Sequence, residues 1–351
     1  MSSSVDSYIA LLRQMIETPS FSGEEAGVTE LIRGFLTEQK VDFRTKGNNT
    51  WAYNRDYDPA KPTILLNSHI DTVKPNSGYV RDPFDAAIEG DKLFGLGSND
   101  AGASVVSLLA TFLHFYDKEN LSYNLCLALT AEEERSGAGG IESVWNDLGP
   151  VDAAIVGEPT GMQMAVAERG LLVVDCTARG EAGHAARKEG VNAIYEALPD
   201  IQWFRDYRFK KVSERLGEVS MSVTIINAGT QHNVVPAECT FTVDIRLNEC
   251  YTHEEVLDTI RQNVRCKVVP RSMRLRSSSI PKGHPIVEAG KSLGLEVFGS
   301  PTLSDQALIP VPSLKMGPGK SERSHSADEY VLLPEIEAGI DTYIRLLENI
   351  L

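Results

Sequence analysis

Basic residues are scarce in this 351-residue chain, which has 34 Lys and Arg against 49 Asp and Glu and a formal net charge of −15. Phosphate backbones and anionic membrane surfaces are bound through an excess of Lys and Arg, which displace the counterions. The deficit therefore predicts a protein that binds neither nucleic acid nor membranes. Hydrophobic residues make up 42% and charged residues 24% of the chain, proportions typical of a soluble globular protein.

Long hydrophobic runs are also missing. The most apolar stretch, residues 105–115, is interrupted by Ser107, Thr111 and His114. It is far shorter than the roughly 20 apolar residues that a membrane span needs. The opening segment MSSSVDSYIALLRQ does not combine a basic region with an apolar core, so it does not resemble a secretory signal. Together these absences predict a cytoplasmic protein.

Cysteines are few and unsuited to a disulfide scaffold or a cysteine-ligated zinc site. Their number is odd and they form no CxxC pair: Cys126, Cys176, Cys239, Cys250 and Cys266. Most lie in apolar, strand-like runs, which indicates buried, reduced thiols. Common catalytic motifs are missing as well. The chain has no GxSxG elbow, its HEEVL lacks the second His of HExxH, and GPGKS lacks the preceding P-loop glycine. GLGSNDAG is not GxGxxG, so a dinucleotide site is only weakly indicated.

The hydrophobic pattern divides the chain into two kinds of structure. Amphipathic helical patterns cover residues 5–17 and 24–40, and apolar strands then alternate with helices up to about Gly170. This alternation predicts an α/β layer with a central sheet covered on both faces. Residues 171–276 then follow the order β-α-β-β-α-β, which is the ferredoxin-like arrangement. Helix, strand and helix patterns return over 277–351, so we predict one α/β domain interrupted by a small α+β insertion.

Histidines and carboxylates follow several of the predicted strands. His69 and Asp71 form an H-x-D pattern after TILLNS, and residues i and i+2 of a strand share a face. Asp71 can therefore hold the imidazole of His69, as carboxylates often do for metal-bound histidines. Asp100 lies in GLGSND, just before an apolar helical run. For an isolated Asp at such a place, a helix N-cap is the favoured interpretation.

Further carboxylates follow two other apolar strands: Glu132, Glu133 and Glu134 come after NLCLALTA, and Glu158 ends AAIVGE. An acidic run is usually a solvated surface, and a lone loop histidine such as His325 is usually a surface residue. These residues, however, lie at strand exits, where α/β folds place their sites. Taken together, the nitrogen and oxygen ligands suit a pair of zinc-like ions that share a carboxylate. We expect the acids of this set, Glu132 included, to converge on one site.

Seven motifs, in order along nearly the whole chain, resemble one known family. They are NSHIDTV, GLGSNDAG, LTAEEERSGAGG, VGEPTG, GHAARKEGVNAI, NVVPAECTFTVDIR and SHSADEYV. Their order is similar to that of the dinuclear-zinc deacylases and exopeptidases, which include acetylornithine deacetylase, succinyl-diaminopimelate desuccinylase and the carboxypeptidase G enzymes. The resemblance implies a zinc-peptidase-like α/β catalytic domain with a mixed central sheet, formed by 1–170 and 277–351. It also implies a ferredoxin-like lid of residues 171–276 through which the protein forms a homodimer.

The same resemblance implies the residues of a dinuclear zinc centre, with Co²⁺ able to replace Zn²⁺. The implied ligands are His69, Glu158, His325 and Glu134 as terminal ligands and Asp100 as the bridge. Glu133 resembles the general base, and Asp71 would orient a histidine ligand. The family has Asp-Glu-Glu where this chain has three glutamates, so a one-residue shift, with Glu132 as base and Glu133 as ligand, is the alternative.

In the lid, His184 resembles a histidine that stabilises the oxyanion in the partner's active site, while Asn233 and Arg246 resemble residues that line the substrate site. Without the resemblance, an exposed strand-end arginine is an equally good interpretation of Arg246. The chain departs from the family at Leu96, at residues 102–104 and after the GHAAR motif, none of which removes a ligand. These departures leave the identity of the substrate open.

The activity implied is hydrolysis of an N-acyl-L-amino acid, a small molecule. N-acetyl-L-ornithine, a substrate in arginine biosynthesis, is the first candidate. The chain length and the LTAEEE and GEPTG motifs resemble the acetylornithine deacetylase branch of the family. Arg187 and Lys188 beside His184 would instead favour an acidic acyl group such as succinyl, unless they are solvated surface charges. A desuccinylase, a dipeptidase or carboxypeptidase, and a non-catalytic binding protein for amino acids or peptides are the alternatives.

Overall fold

The computed structural model describes residues 5–351, which form two compact units. The first unit runs through Val166 and resumes with Ser279–Phe298 and Ser304–Leu351. The second comprises Ala167–Ser278 and Gly299–Leu303. Each unit has its own hydrophobic core.

Eight α-helices and eighteen strands make up the regular structure of the described residues. The helices are α1 Val5–Glu17, α2 Ala26–Glu38, α3 Ala103–Tyr116, α4 Ile141–Val144, α5 Ala193–Asp206, α6 His253–Asn263, α7 Pro285–Ser292 and α8 Leu333–Glu348. The strands are β1 Phe43–Lys46, β2 Asn49–Tyr53, β3 Thr63–His69, β4 Ile88–Glu89, β5 Lys92–Phe94, β6 Asn124–Thr130, β7 Ala153–Gly157, β8 Met164–Glu168, β9 Gly170–Arg179, β10 Gly183–His184, β11 Ser220–Ala228, β12 Val234–Val235, β13 Glu238–Leu247, β14 Lys267–Pro270, β15 Ser278–Ser279, β16 Val297–Ser300, β17 Ser313–Met316 and β18 Tyr330–Leu332.

The central sheet has the order β1-β2-β6-β3-β7-β17-β8-β15, with β16 beside β8. Its middle strands β6, β3, β7 and β17 are parallel, whereas β2 and β8 join them antiparallel. Strands β3, β6 and β7 are buried along their whole length, as continuous apolar strands in a doubly covered sheet must be. The predicted α/β fold with a mixed central sheet is confirmed.

Two apolar helices cover one part of this sheet. In α8 the buried residues Ile336, Ile340, Tyr343 and Leu347 recur at helical spacing and form a single apolar stripe. The Tyr343 hydroxyl, fully buried, donates a hydrogen bond to the Met316 carbonyl at the end of β17. Helix α3 is buried over nearly its whole length and belongs to the same core as α8. The helical patterns predicted at the start of the chain correspond to α1 and α2.

The second unit contains a four-stranded antiparallel sheet in the order β11-β13-β9-β14. Buried residues alternate with partly exposed ones along β9, because only one face of this sheet is covered. Val174 and Phe241 on that face belong to the same core as Phe204 of α5 and Ile260 of α6. The chain order β9-α5-β11-β13-α6-β14 confirms the predicted ferredoxin-like arrangement.

The predicted elements differ from the observed ones mainly at their ends. The last strand of the ferredoxin-like unit stops at Pro270, which has no N–H to continue a ladder. The helix predicted at 141–148 is α-helical only to Val144 and continues as a tighter turn over Trp145–Leu148. All five cysteines are free thiols, three of them buried. Across residues 5–351, no helix is both long and apolar enough to cross a bilayer.

Candidate active site

Three parallel strands of the central sheet end beside one another and place polar side chains at their carboxyl ends. His69 is the last residue of β3, Glu133 lies shortly after β6, and Glu158 directly follows β7. Because β3 pairs in parallel with both β6 and β7, these ends lie at one edge of the sheet. The structure brings the three side chains together: His69 Nε2 lies 3.8 Å from a Glu158 oxygen and 4.0 Å from a Glu133 oxygen.

Asp100 reaches the same place from the loop before α3. Its Oδ1 lies 3.2 Å from His69 Nε2 and its Oδ2 lies 3.8 Å from His325 Nε2. The residue that precedes α3 is Gly102, and no side chain caps that helix. The interpretation of Asp100 as an N-cap is therefore wrong, since its carboxylate faces two histidines instead.

The ring orientation of His69 is fixed by Asp71. The backbone carbonyl of Asp71 lies 2.9 Å from His69 Nδ1, and a carbonyl oxygen can only accept a hydrogen bond. Nδ1 must then carry the hydrogen, so a neutral imidazole presents the lone pair of Nε2 to the acidic cluster. His69 is almost fully buried, at 2% exposure, so this orientation is held by its surroundings.

The Asp71 carboxylate also holds the turn that follows β6. It lies 3.4 Å from His69 Nδ1 and accepts hydrogen bonds from the backbone N–H groups of Glu133 and Glu134, both at 3.1 Å. The Ser22 hydroxyl donates to it at 2.5 Å. These partners hold the pKa of Asp71 below its usual value although burial opposes this. One buried carboxylate thus fixes a histidine and two glutamates at once.

The three consecutive glutamates do not share one direction. Glu132 has a positive φ of 60°, and its carboxylate contacts the Arg135 guanidinium at 2.7 Å and the Gly139 N–H at 3.1 Å. The expectation that Glu132 joins the other acids is therefore wrong. Glu133 lies next to His69, and the Glu134 carboxylate lies 3.0 Å from His325 Nε2.

His325 comes from the far end of the chain but is held in place. Its side chain is about half exposed, while its backbone carbonyl accepts a hydrogen bond from the Asn76 side chain at 3.0 Å. The hydrogen bond to Glu134 is the main cause that raises the pKa of His325 to about 9. Its contacts with Glu134 and Asp100 show that it is not an ordinary surface histidine.

The cluster holds more negative charge than its own residues can neutralise. Burial raises the pKa of Glu133 well above its usual value, and the nearby carboxylates of Glu158 and Asp305 raise it further, against the opposing effect of His69. Burial lowers the pKa of His69, but hydrogen bonds to Asp100 and Asp71 more than offset this and raise it well above its usual value. Carboxylates packed in this way require protons or cations among them.

The donor atoms fit metal ions. Those of His69, Asp100 and Glu134 lie within 4.8 Å of one another, and so do those of His69, Glu133 and Glu158. Separations of 3.8 and 4.0 Å are too long for hydrogen bonds, yet they are close to those of ligand atoms that each lie about 2.1 Å from one zinc ion. Imidazole nitrogens mixed with carboxylate oxygens suit zinc and similar divalent ions.

Sequence reasoning missed Glu329. This side chain is buried, and its carboxylate accepts hydrogen bonds from the backbone N–H groups of Gly97 at 3.1 Å, Asn99 at 2.8 Å and Asp100 at 2.9 Å. It therefore holds the loop that carries Asp100. Burial and the Asp100 charge raise the pKa of Glu329 to about 8, although the three N–H groups oppose the shift. Only its place four residues after His325, within SHSADEYV, pointed towards the site.

Asp305 is a second buried carboxylate that the sequence did not single out. It accepts a hydrogen bond from the Thr130 hydroxyl, at the end of β6, at 2.8 Å. Burial is the main cause that raises its pKa to about 6. No strand pattern precedes Asp305, so it could not be identified, as Glu158 was, from a position at the end of a predicted strand.

The remaining predicted site residues lie in the second unit. His184, at the end of β10, is exposed, and Asn233 lies beside it because the Asn233 carbonyl accepts the Ala185 N–H at 3.1 Å. Arg246 on β13 is engaged by Asp244 of its own strand through two hydrogen bonds of 2.8 and 3.1 Å. Their roles in substrate binding remain predictions.

Several curated proteins are similar to this chain over nearly its full length. Acetylornithine deacetylase from Proteus mirabilis is 26% identical over 99% of this chain and 98% of its own length. A probable carboxypeptidase from Emericella nidulans is 28% identical over 97% of this chain and 88% of its own length. Succinyl-diaminopimelate desuccinylase 2 from Ruegeria sp. is 24% identical over 97% of this chain and 94% of its own length.

Solved structures share the fold. Aminopeptidase PepT from Bacillus cereus superposes with a TM-score of 0.78 at 17% identity, over the whole of both chains. The YXEP protein of Bacillus subtilis, described as a dinuclear metal-binding peptidase of family M20, gives a TM-score of 0.74 at 17% identity over 98% of this chain and 97% of its own. The profile of peptidase family M20/M25/M40 matches residues 65–349. This chain therefore belongs to peptidase family M20/M25/M40.

Proposed function

We propose that this protein removes the acyl group from an N-acyl-L-amino acid, with N-acetyl-L-ornithine as the first candidate substrate. As a member of its family, it is a hydrolase of amide or peptide bonds. The observation that carries the finer proposal is the placement of a partly buried glutamate, Glu133, beside a two-histidine, multi-carboxylate donor set. Full-length similarity to an acetylornithine deacetylase supports the choice of substrate.

The donor set supports two divalent cations, which we propose to be Zn²⁺ with Co²⁺ able to replace it. His69 and Glu158 would hold one cation and His325 and Glu134 the other. Asp100 would bridge them, because its two oxygens face the two histidines separately. When bound, such ions polarise a carbonyl group and lower the pKa of water towards neutrality.

Glu133 is the proposed general base. It would accept the proton of the attacking water and return it to the leaving amine, and a raised pKa makes its carboxylate a stronger base for that transfer. Asp71 would keep both the base and His69 in position through the contacts described above. From the second unit, His184 would stabilise the oxyanion in the active site of the partner subunit, and Asn233 and Arg246 would contact the substrate.

A hydrolysis panel tests the proposed reaction. We expect the metal-loaded protein to hydrolyse N-acetyl-L-ornithine with a higher kcat/KM than N-succinyl-L-ornithine or dipeptides. A chelator should abolish turnover, and added Zn²⁺ or Co²⁺ should restore it. A higher kcat/KM on the succinyl compound or on dipeptides would identify a desuccinylase or a peptidase instead. No turnover on any compound with either metal would show a binding protein and contradict the proposal.

The homodimer is proposed to form through the second unit. The edge strand β11 exposes Ile225 at 49% and Ile226 at 52%, and α5 exposes Tyr195 at 68%. An edge strand with exposed apolar side chains is a site at which another chain can pair. Sedimentation velocity at micromolar concentration should show a dimer that Ile226→Lys weakens. A wild-type monomer would contradict this proposal.

A further inference from the structure

A cavity of about 190 Å³ adjoins His325 in the first unit. Its lining includes Lys74, Asn76, Tyr79 and Leu96 besides His325 itself. None of the described residues that line it is acidic, in marked contrast to the carboxylate cluster on the other side of this histidine. The cavity is therefore a neutral to basic space directly beside the proposed metal centre.

Residues 73–79 and 325–326 form most of this cavity, together with Leu96, and hydrogen bonds hold these two segments together. The Asn76 side chain donates to the His325 carbonyl at 3.0 Å. The Asp328 carboxylate accepts the backbone N–H groups of Val80 at 3.0 Å and Arg81 at 2.9 Å. Because Asn76 and residues 80–81 are fixed to the 325–328 segment, this part of the cavity wall keeps a defined position relative to His325.

Lys74 is the basic side chain of this lining that the proposed metal centre does not use. In the described part of the chain its ammonium has no carboxylate partner. It lies over the ring of Phe21, 5.9 Å from the ring centroid. Arg81 of the same segment, in contrast, makes two hydrogen bonds of 2.8 and 2.7 Å to Glu89. In a protein with 49 acidic residues, Lys74 is thus a cation available to a ligand.

We propose that this cavity binds a carboxylate group of the substrate and that the Lys74 ammonium recognises it. The inference rests on the proposed function, since it assigns the substrate class of the same site. A cation beside the proposed metal centre attracts an anionic group of the substrate and orients it towards the site. A lysine suits this role because it acts as a mobile point charge and demands no fixed two-point geometry.

The size of the cavity fits a short substituent. A volume of about 190 Å³ admits a small polar substituent, since one water needs only about 10–15 Å³ on the same measure. An N-acyl-amino acid offers two carboxylates of this reach, its own α-carboxylate and the terminal carboxylate of an acidic acyl group such as succinyl. Both carboxylates can form the same ion pair with Lys74, so an experiment must show which of the two is bound.

Paired substrates separate the two sources. The kinetic constants of Lys74→Met and the wild type should be measured on N-acetyl-L-ornithine and its α-carboxamide, and on N-succinyl-L-ornithine and its succinamoyl counterpart. We expect the variant to raise KM about tenfold for the substrate whose carboxylate is bound, with kcat little changed. The matching amide should be unaffected. An effect on both free acids and none on the α-carboxamide identifies the α-carboxylate, while an effect on the succinyl acid alone identifies the acyl carboxylate.

Two further variants complete the test. Lys74→Arg keeps the charge and should keep most of the affinity. Lys118→Met makes the same charge change just after α3, away from the cavity, and should leave all constants unchanged. The inference would be overturned if wild type and Lys74→Met had equal KM values, or if the variant raised KM equally for all four compounds. Either result would leave the hydrolase assignment intact. Failure of the wild type on every substrate would instead overturn the proposed function and this inference with it.

Discussion

Replacing Glu133 with glutamine should lower kcat by about 10²- to 10⁴-fold while the protein stays folded and keeps its metal. Glutamine has the same shape and fits the same partly buried place beside His69, but its amide cannot accept the proton of the attacking water. The proposed ligands His69, Glu158, His325, Glu134 and Asp100 are all unchanged in this variant. Steady-state kinetics on the best substrate, with metal content measured by atomic absorption, give the result directly.

Glu132→Gln is the matched control, since it makes the same change one residue earlier. The Glu132 carboxylate is turned towards Arg135 and Gly139, so activity should stay close to that of the wild type. The pair of variants also separates the two alignments of the three glutamates. If Glu132→Gln loses turnover and Glu133→Gln loses metal, the shifted alignment is correct and our assignment of the base is wrong.

Replacing Asp100 with alanine should remove metal and activity together. Its two oxygens face His69 and His325 separately, so a bridging role predicts that both cations bind more weakly. Changing residues that merely support a metal ligand costs about 10- to 100-fold in affinity, and loss of a bridging ligand should exceed this. Metal per chain after dialysis, together with kcat/KM, measures the effect.

Asp117→Ala provides the comparison for this change. Asp117 is an exposed aspartate after the other end of α3, where it contacts Arg55. The Asp117→Ala variant should retain two ions per chain and full activity. Two tightly held ions and near-normal turnover in Asp100→Ala itself would exclude the bridge. Thermal unfolding of both variants distinguishes loss of metal from loss of fold.

Much of the fold could be predicted because its signals are local. The apolar runs that begin β3 and fill most of β6 indicate strands of a sheet covered on both faces. The rule that α/β sites lie at the carboxyl ends of parallel strands then singled out His69 and Glu158 without any knowledge of side-chain geometry.

The features that could not be predicted depend on contacts between distant parts of the chain. The local sequence of Asp100 resembles a helix cap, and only the family resemblance pointed to a metal ligand. Its loop is held by Glu329, which lies 229 residues further along the chain. The direction of Glu132 follows from a left-handed backbone conformation within an acidic run that shows no such signal. The sequence around Asp305 likewise gives no sign that its carboxylate accepts a hydrogen bond from Thr130 at the end of β6.

The position of β17 has a consequence for how the protein is made. This strand pairs with β7 in the middle of the sheet, yet it lies beyond the second unit in sequence. The contact between Glu134 and His325 likewise spans 191 residues. During synthesis, the ribosome must therefore release almost the entire chain before the sheet can close and the second histidine can arrive. Contacts of such long range are entropically costly and slow to form, so the proposed metal centre is completed late in folding.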